Sequence, residues 1–224
     1  MTTNAVALNC VDVIKTRLSG QKRFFVAITG DSGSGKSFYS SIIRQLFAQQ
    51  GITHSYLNAD DFLISRADRE PMKREYYDSG EFVGHSKWEI LENMFRLDEF
   101  SKVIDELRTT GQSSYRPYSR ETGSVDEKLR HIAVENLVIF DTSMLLNKMD
   151  FVIMVDVEIE KIIARKIARD SDIRTPVQIE EMHRKVQGYY WQRKKPSFPD
   201  IVIDNNDFAD PKIIVNEFNR SDVE

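Results

Sequence analysis

Residues Gly30-Asp31-Ser32-Gly33-Ser34-Gly35-Lys36-Ser37 place glycines at the spacing of a tight backbone curl, closed by a lysine and a hydroxyl. This G-x-x-x-x-G-K-[ST] pattern suits the binding of phosphates. Glycine lets successive N–H groups turn toward one anion, and a helix starting just after the loop adds the positive end of its dipole. The loop from Gly30 to Gly35 is expected to cradle phosphates, Lys36 to reach the β/γ pair and Ser37 to ligate Mg²⁺. Asp60 and Asp61 follow a short apolar run, where a carboxylate can take the proton of a hydroxyl attacking phosphorus. Asp60 is the favoured base and Asp61 a supporting or metal-linked group. Asp141 closes the run Leu137-Val138-Ile139-Phe140 and is expected beside Ser37 at the metal. Segment 158–170 carries Lys161, Arg165, Lys166 and Arg169, with Arg174 just beyond. Such clustered cations suit a polyanion whose charge grows during transfer. They equally suit a solvated helix pairing with Glu158, Glu160, Asp170 and Asp172.

These groups need elements to hold them. Phe24–Thr29 is a β-branched and aromatic run before the loop, and a helix-compatible segment runs from Ser37 to Gln50. Residues 4–18 have partly helical apolar spacing ended by Gly20. His54–Asn58, Leu137–Asp141, Phe151–Asp156 and Ile201–Asp204 read as short strands. Helices are expected over 86–95, 98–109, 158–169, 178–190 and 211–218, and irregular chain over 64–84 and 112–124. Wholly apolar strands alternating with helices predict an α/β fold with a parallel sheet and helices on both faces; with the glycine loop after the first strand this is the expectation of a three-layer P-loop NTPase fold. Ligands of such sheets gather at the carboxyl ends of the strands, where all the groups above fall. The domain organisation is one domain, 1–224, with a basic helical lid over about 158–190 and an acceptor-side insertion over about 64–124.

A net charge of −4 argues against nucleic acid as the main partner. The one cysteine, Cys10, excludes an internal disulfide and a cysteine-cluster metal site, and fits a reducing compartment. No apolar stretch approaches the roughly 20 residues of a membrane span. Met1–Val13 lacks a basic region followed by an apolar core, so no signal peptide is read. The expectation is a cytoplasmic protein without a membrane partner, with homo-oligomerisation left open.

The chain resembles the uridine kinase/phosphoribulokinase group of small-molecule kinases, which also takes in bacterial pantothenate kinase. Gly30–Ser37 looks like that family's P-loop, and Asp60-Asp61-Phe62 like its Asp-x-Phe, whose first Asp is the base. Asp78 in Tyr76-Tyr77-Asp78-Ser79-Gly80 falls where the family holds acceptor hydroxyls. Tyr115-Arg116-Pro117-Tyr118 falls on the segment that packs on the acceptor. Arg165-x-x-x-Arg169-Asp170, then Arg174, resembles the lid signature, and Asp200-Ile201-Val202-Ile203 the closing strand. The resemblance implies ATP and Mg²⁺ as cofactors and transfer of the γ-phosphate to a hydroxyl of a nucleoside-, sugar- or pantothenate-like acceptor. It implies phosphate binding by Arg165, catalytic roles for Lys36, Arg169 and Arg174, and acceptor contacts from Asp78, Tyr115 and Tyr118; Arg120, with Arg116, by its charge suits a phosphorylated or carboxylated acceptor or a place at the surface. The chain departs from the pattern in Asp141-Thr142 for Glu-Gly, in Pro176 where a lid Arg is often found, and in lacking a His shortly after Tyr118.

Asn147-Lys148-Met149-Asp150 matches the N-K-x-D guanine-reading motif of GTPases. It leads into a strand instead of following one, and Asp141-Thr142-Ser143-Met144 is not Asp-x-x-Gly. A GTPase or ATPase switch, or a nucleotide-binding regulatory module without an acceptor, stands as the alternative function. Tyr189-Tyr190-Trp191 reads as packing at a helix end or as a pocket wall.

Overall fold

The computed structural model describes residues 1–79, 89–197 and 199–215. Helix α1 (Thr3–Leu18) is capped by Thr2, whose hydroxyl accepts the Ala5 N–H, and buries Val6, Cys10, Val11 and Ile14. Every residue of strand β1 (Phe24–Gly30) is buried, as its unbroken apolar run requires of a central strand. Helix α2 (Lys36–Gln49) follows the glycine loop and buries Tyr39, Ile43 and Phe47. Strand β2 (Ser55–Asn58) leads into a 3₁₀ turn, Ala59–Phe62. Next come α3 (Arg66–Ser79), α4 (Glu89–Asn93), α5 (Leu97–Thr109), β3 (Gln112–Tyr115), β4 (Arg130–Ala133), β5 (Leu137–Asp141) and β6 (Phe151–Asp156). The chain continues through α6 (Ile159–Asp170), α7 (Pro176–Met182), a π turn at His183–Gln187, α8 (Gly188–Lys194), β7 (Ile201–Asp204) and β8 (Lys212–Val215).

The main sheet has six strands in the order β2-β5-β1-β6-β7-β8, parallel except for β8. The expected α/β fold with a parallel core is present. Alternation along β1 assigns its two faces. Phe24, Val26 and Ile28 join the core under α1 and α2, while Phe25 and Ala27 join the core with Phe62, Phe100 and Ile104. The register sets Asp141 opposite both Ile28 and Asn58, and Gly30 opposite Val155. The glycine loop, Asp141 and the turn bearing Asp60 therefore leave the sheet at one edge.

Several expectations are corrected. Residues 66–79 are helical rather than irregular: the charged run offers no apolar stripe to read, but Ser65 caps it, accepting the Asp68 N–H and donating to the Asp68 carboxylate. Within 112–124, β3 pairs antiparallel with β4, burying Ser113 and Tyr115 on one face. The expected helix over 211–218 is replaced through Val215 by strand β8, whose β-branched residues pair with β7, and 216–218 lie outside the described residues. The helix over 178–190 is broken by the π turn.

The Asn147–Asp150 segment stands at the opposite end of β1 from the glycine loop. Asp150 Oδ2 accepts the Phe25 N–H at 2.8 Å, and its carboxylate accepts from Arg108 Nη1 at 3.1 Å. Lys148 Nζ donates to Asp105 at 2.6 Å. This match to a guanine-reading motif is a fastening between α5 and the sheet. Asp150→Ala is expected to lower the free energy of urea unfolding by roughly 1–3 kcal/mol, through the orphaned Phe25 N–H and Arg108, and to leave nucleotide affinity unchanged.

Candidate active site

The glycine loop is gripped from behind. Gly33 has φ +99°, and a side chain there would come within 3.1 Å of Lys166 Cε and 3.2 Å of Ile162 Cγ2. Gly35 has φ +103° and leaves only 2.9 Å to Asn205 Nδ2. Neither position tolerates another residue without strain. The Ser34 carbonyl accepts from Asn205 Nδ2 at 2.8 Å and from Arg165 Nη1 at 3.5 Å, while Arg165 Nη2 donates to the Asn205 carbonyl at 2.6 Å. On the other flank the Ser143 hydroxyl donates to the Gly30 carbonyl at 2.9 Å. Helix α2 begins at Lys36 with no side chain capping it, so its first N–H groups stand ready for an anion.

Behind the loop lies a buried polar chain that sequence patterns do not announce. Asp31, His183 and Lys166 are all nearly fully buried. Lys166 Nζ donates to His183 Nδ1 at 2.8 Å and to the Gln187 side-chain oxygen. His183 Nε2 lies 3.2 Å from Asp31 Oδ2, so the proton of a neutral ring belongs on Nε2, facing the carboxylate. Asp31 Oδ1 accepts the Ser32 N–H at 2.5 Å. The π turn supplies both His183 and Gln187 to this chain. Burial lowers the Lys166 pKa to about 8, against the opposing pull of Asp31.

Asp141 is buried beside Ser37 and near Lys36. Burial raises its pKa above the ordinary carboxylate range, with Lys36 and Ser37 opposing. Its Oδ2 atom has no hydrogen-bond partner. A buried carboxylate oxygen without a donor, next to a hydroxyl and a phosphate loop, is the donor set that suits Mg²⁺.

The adjacent acids Asp60 and Asp61 part company. Asp60 faces the cleft, with its N–H held by Asn58 Oδ1 at 2.9 Å and its carboxylate paired with the exposed Arg120. Asp61 turns away. Its Oδ2 accepts from Arg130 Nη1 at 2.6 Å and from the Tyr115 hydroxyl at 3.0 Å, and burial raises its pKa. Tyr115 is itself buried, its ring 4.8 Å from Phe62, and does not line the cleft. Tyr118 is buried outside the cleft wall too, its N–H bonded to the Asp61 carbonyl at 2.7 Å. Arg120 reaches the site only through Asp60. Asp78 falls in the last turn of α3, and its side chain lies outside the described residues.

The basic residues after β6 separate in the same way. Arg165 holds loop backbone, Lys166 is buried, and Arg169 is largely exposed and paired with its neighbour Asp170 at 2.6 Å. Only Arg174 lines the cleft. Pro176 is the first residue of α7, whose Thr175 and Gln178 form a reciprocal cap. The cleft encloses about 350 Å³. Lys36, Ser37, Asp60 and Asp141 form its polar end, and Leu63, Met72, Met94, Phe95, Tyr190 and Trp191 much of the remaining wall. Arg69, from within the charged run, lines it as well. Of the aromatic trio at 189–191, Tyr190 and Trp191 are therefore wall residues.

The sequence model of the phosphoribulokinase/uridine kinase family matches residues 25–223. The chain belongs to this family. It is a phosphotransferase with a hydroxyl group as acceptor. Uridine-cytidine kinase B of Dictyostelium discoideum is 26% identical over 190 residues, covering 84% of this chain and 72% of that protein. The fold matches that of a possible uridine kinase from Bacillus stearothermophilus with a TM-score of 0.61, at 18% identity over 88% of this chain and 98% of the other. It also matches phosphoribulokinase from Rhodobacter spheroides with a TM-score of 0.62, at 20% identity over 81% and 70% of the two chains. Membership of this family implies the use of ATP.

The Lys166 shift has a measurable sign. Its native pKa lies below that of the unfolded chain, so between about pH 8 and 10 the unfolded state holds a proton that the native state has lost. Stability should therefore rise with pH across that window. Urea-unfolding free energies of the wild type, compared at about pH 7.5 and 9.5, should gain roughly 1–3 kcal/mol over the change seen in Lys166→Met. Parallel pH profiles of the two proteins would show that Lys166 is not held in this way.

Proposed function

We propose that the chain transfers the γ-phosphate of ATP to a hydroxyl of a nucleoside-, sugar- or pantothenate-like acceptor. The observation that carries this reading is the placement of Lys36, Ser37, Asp60 and Asp141 on one wall of a single cleft. The glycine loop and the open start of α2 hold the phosphates, and Lys36 reaches the β/γ pair. Asp60 accepts the proton of the acceptor hydroxyl as its oxygen attacks the γ-phosphorus and ADP departs. Arg120 must share or yield Asp60 when the acceptor arrives. A pair this exposed contributes at most about 1 kcal/mol, so it yields readily. Ser37 and Asp141 would hold Mg²⁺, which when bound neutralises charge on the β- and γ-phosphate oxygens. Arg174 faces the same space and would steady the transferring group. Arg169 would join it only by leaving Asp170. The relatives named as uridine kinases make uridine one candidate acceptor among these classes.

Substitution separates the assigned roles. Lys36→Ala should abolish turnover. Asp60→Asn should lower kcat by about 10²–10⁴-fold while ATP affinity, measured by calorimetry, stays within a few-fold. Asp61→Asn should act chiefly on stability, since it loosens Tyr115 and Arg130. Normal transfer by Asp60→Asn beside an inactive but folded Asp61→Asn would exchange the two assignments. ATP hydrolysis indifferent to every acceptor would favour the regulatory alternative.

A further inference from the structure

Arg69 is a cation the described transfer chemistry does not use. It projects from the first turns of α3 into the cleft. Its guanidinium carbon sits 4.6 Å over the Tyr118 ring, and Tyr118 is fixed by its N–H to the Asp61 carbonyl at 2.7 Å. The platform under Arg69 is thus tied to the turn that carries Asp60. Arg69 Nε is buried and has no hydrogen-bond partner. Among the described residues no carboxylate pairs with Arg69. The nearby arginines are engaged: Arg66 donates to the Arg120 carbonyl, Arg96 to the Asp61 and Arg116 carbonyls, and Arg130 to Asp61.

A guanidinium with one face covered by a ring and an N–H removed from water seeks an anion. Around it the cleft is lined by thioether and aromatic groups: Met72 three residues along α3, Met94 and Phe95 at the end of α4, and Trp191. Such a wall has few donors and acceptors with which to read the edges of a base or the hydroxyls of a sugar.

We propose that Arg69 anchors an anionic group of the acceptor, so that this kinase acts on a carboxylated or phosphorylated alcohol with an apolar body in preference to a neutral nucleoside. The hydroxyl lies at Asp60, the carboxylate or phosphate at Arg69, and the apolar part along Met72, Met94 and Phe95. The transfer half of this statement rests on the kinase reading above; the binding half does not.

The test uses twins that differ in the anion and carry an apolar body: pantothenate and panthenol, 6-hydroxyhexanoate and 1-hexanol, 6-hydroxyhexyl phosphate and 1,6-hexanediol, with uridine as the neutral nucleoside. Affinities are measured by calorimetry on the full chain with Mg²⁺ and a non-hydrolysable ATP analogue, and turnover by ADP release with mass detection of product. At least one anion should bind about 10-fold or more tightly than its twin, the scale of a charge-assisted hydrogen bond. Arg69→Gln should erase that preference and raise KM for the anion far more than it changes kcat or the affinity for the ATP analogue. Arg69→Lys should restore part of it. The carboxylate and phosphate pairs report separately which anion is held. No anion exceeding its twin, a preference surviving in folded Arg69→Gln, or uridine binding tightest would each overturn the proposal. Anion binding lost in Arg69→Gln, without phosphorylation by the wild type, would uphold it and count against the kinase reading. Efficient transfer to a neutral acceptor, undisturbed by Arg69→Gln, would do the reverse.

Discussion

The parallel register across β2, β5 and β1 places Asn58, Asp141 and Ile28 in one row, and the positions of the chemical groups follow from that row. Two residues beyond Ile28 the backbone enters the glycine loop; two beyond Asn58 it presents Asp60. A slip of one residue in β5 would turn Asp141 onto the opposite face of the sheet, away from Ser37. The buried alternation of Phe25 and Ala27 against Val26 and Ile28 guards against that slip, because both faces of β1 are filled. Core packing on the two sides of the sheet thus keeps the metal-binding candidates and the proposed base in step.

Charge burial divides the site into a working front and a fixed back. In front, Asp141 keeps an oxygen without a partner and Asp60 keeps only an exposed one. At the back, Lys166 donates to His183, and His183 Nε2 lies 3.2 Å from Asp31, all three side chains being nearly fully buried. A buried charge stripped of one partner is strongly destabilising, so loss of any one member of this chain would loosen the π turn from the loop.

What the sequence makes legible is what short-range chemistry fixes. The loop, the strand-end acids and the α/β alternation all depend on residues within a few positions of one another. Asp60 is favoured over Asp61 from the sequence alone; that Asp61 turns away onto Tyr115 and Arg130, which are distant in the chain, is visible only in the fold. Tyr115 has the composition of a pocket residue, yet it stacks on Phe62 and steadies Asp61. Arg165 looks like a phosphate ligand because its charge is visible and the Ser34 carbonyl is not. Arg69 is hidden for the opposite reason: in a run of charges no single arginine stands out. The β3–β4 pairing and β8 are short, and their signals lie in tertiary pairing more than in local preference.

The contacts of α6 with the glycine loop also decide where motion can originate. A methyl group on Gly33 would press within 3.1 Å of Lys166 and 3.2 Å of Ile162, and Arg165 is fastened to Ser34 and Asn205. These contacts tie the helix, through Lys166, to the loop. Any swing of the basic segment must pivot farther on, in the turn from Ser171 to Arg174 that leads to the Thr175 cap. A basic segment that moved over the cleft would therefore be confined to the short arc bearing Arg174, which starts only a turn or so beyond the residues that grip the loop.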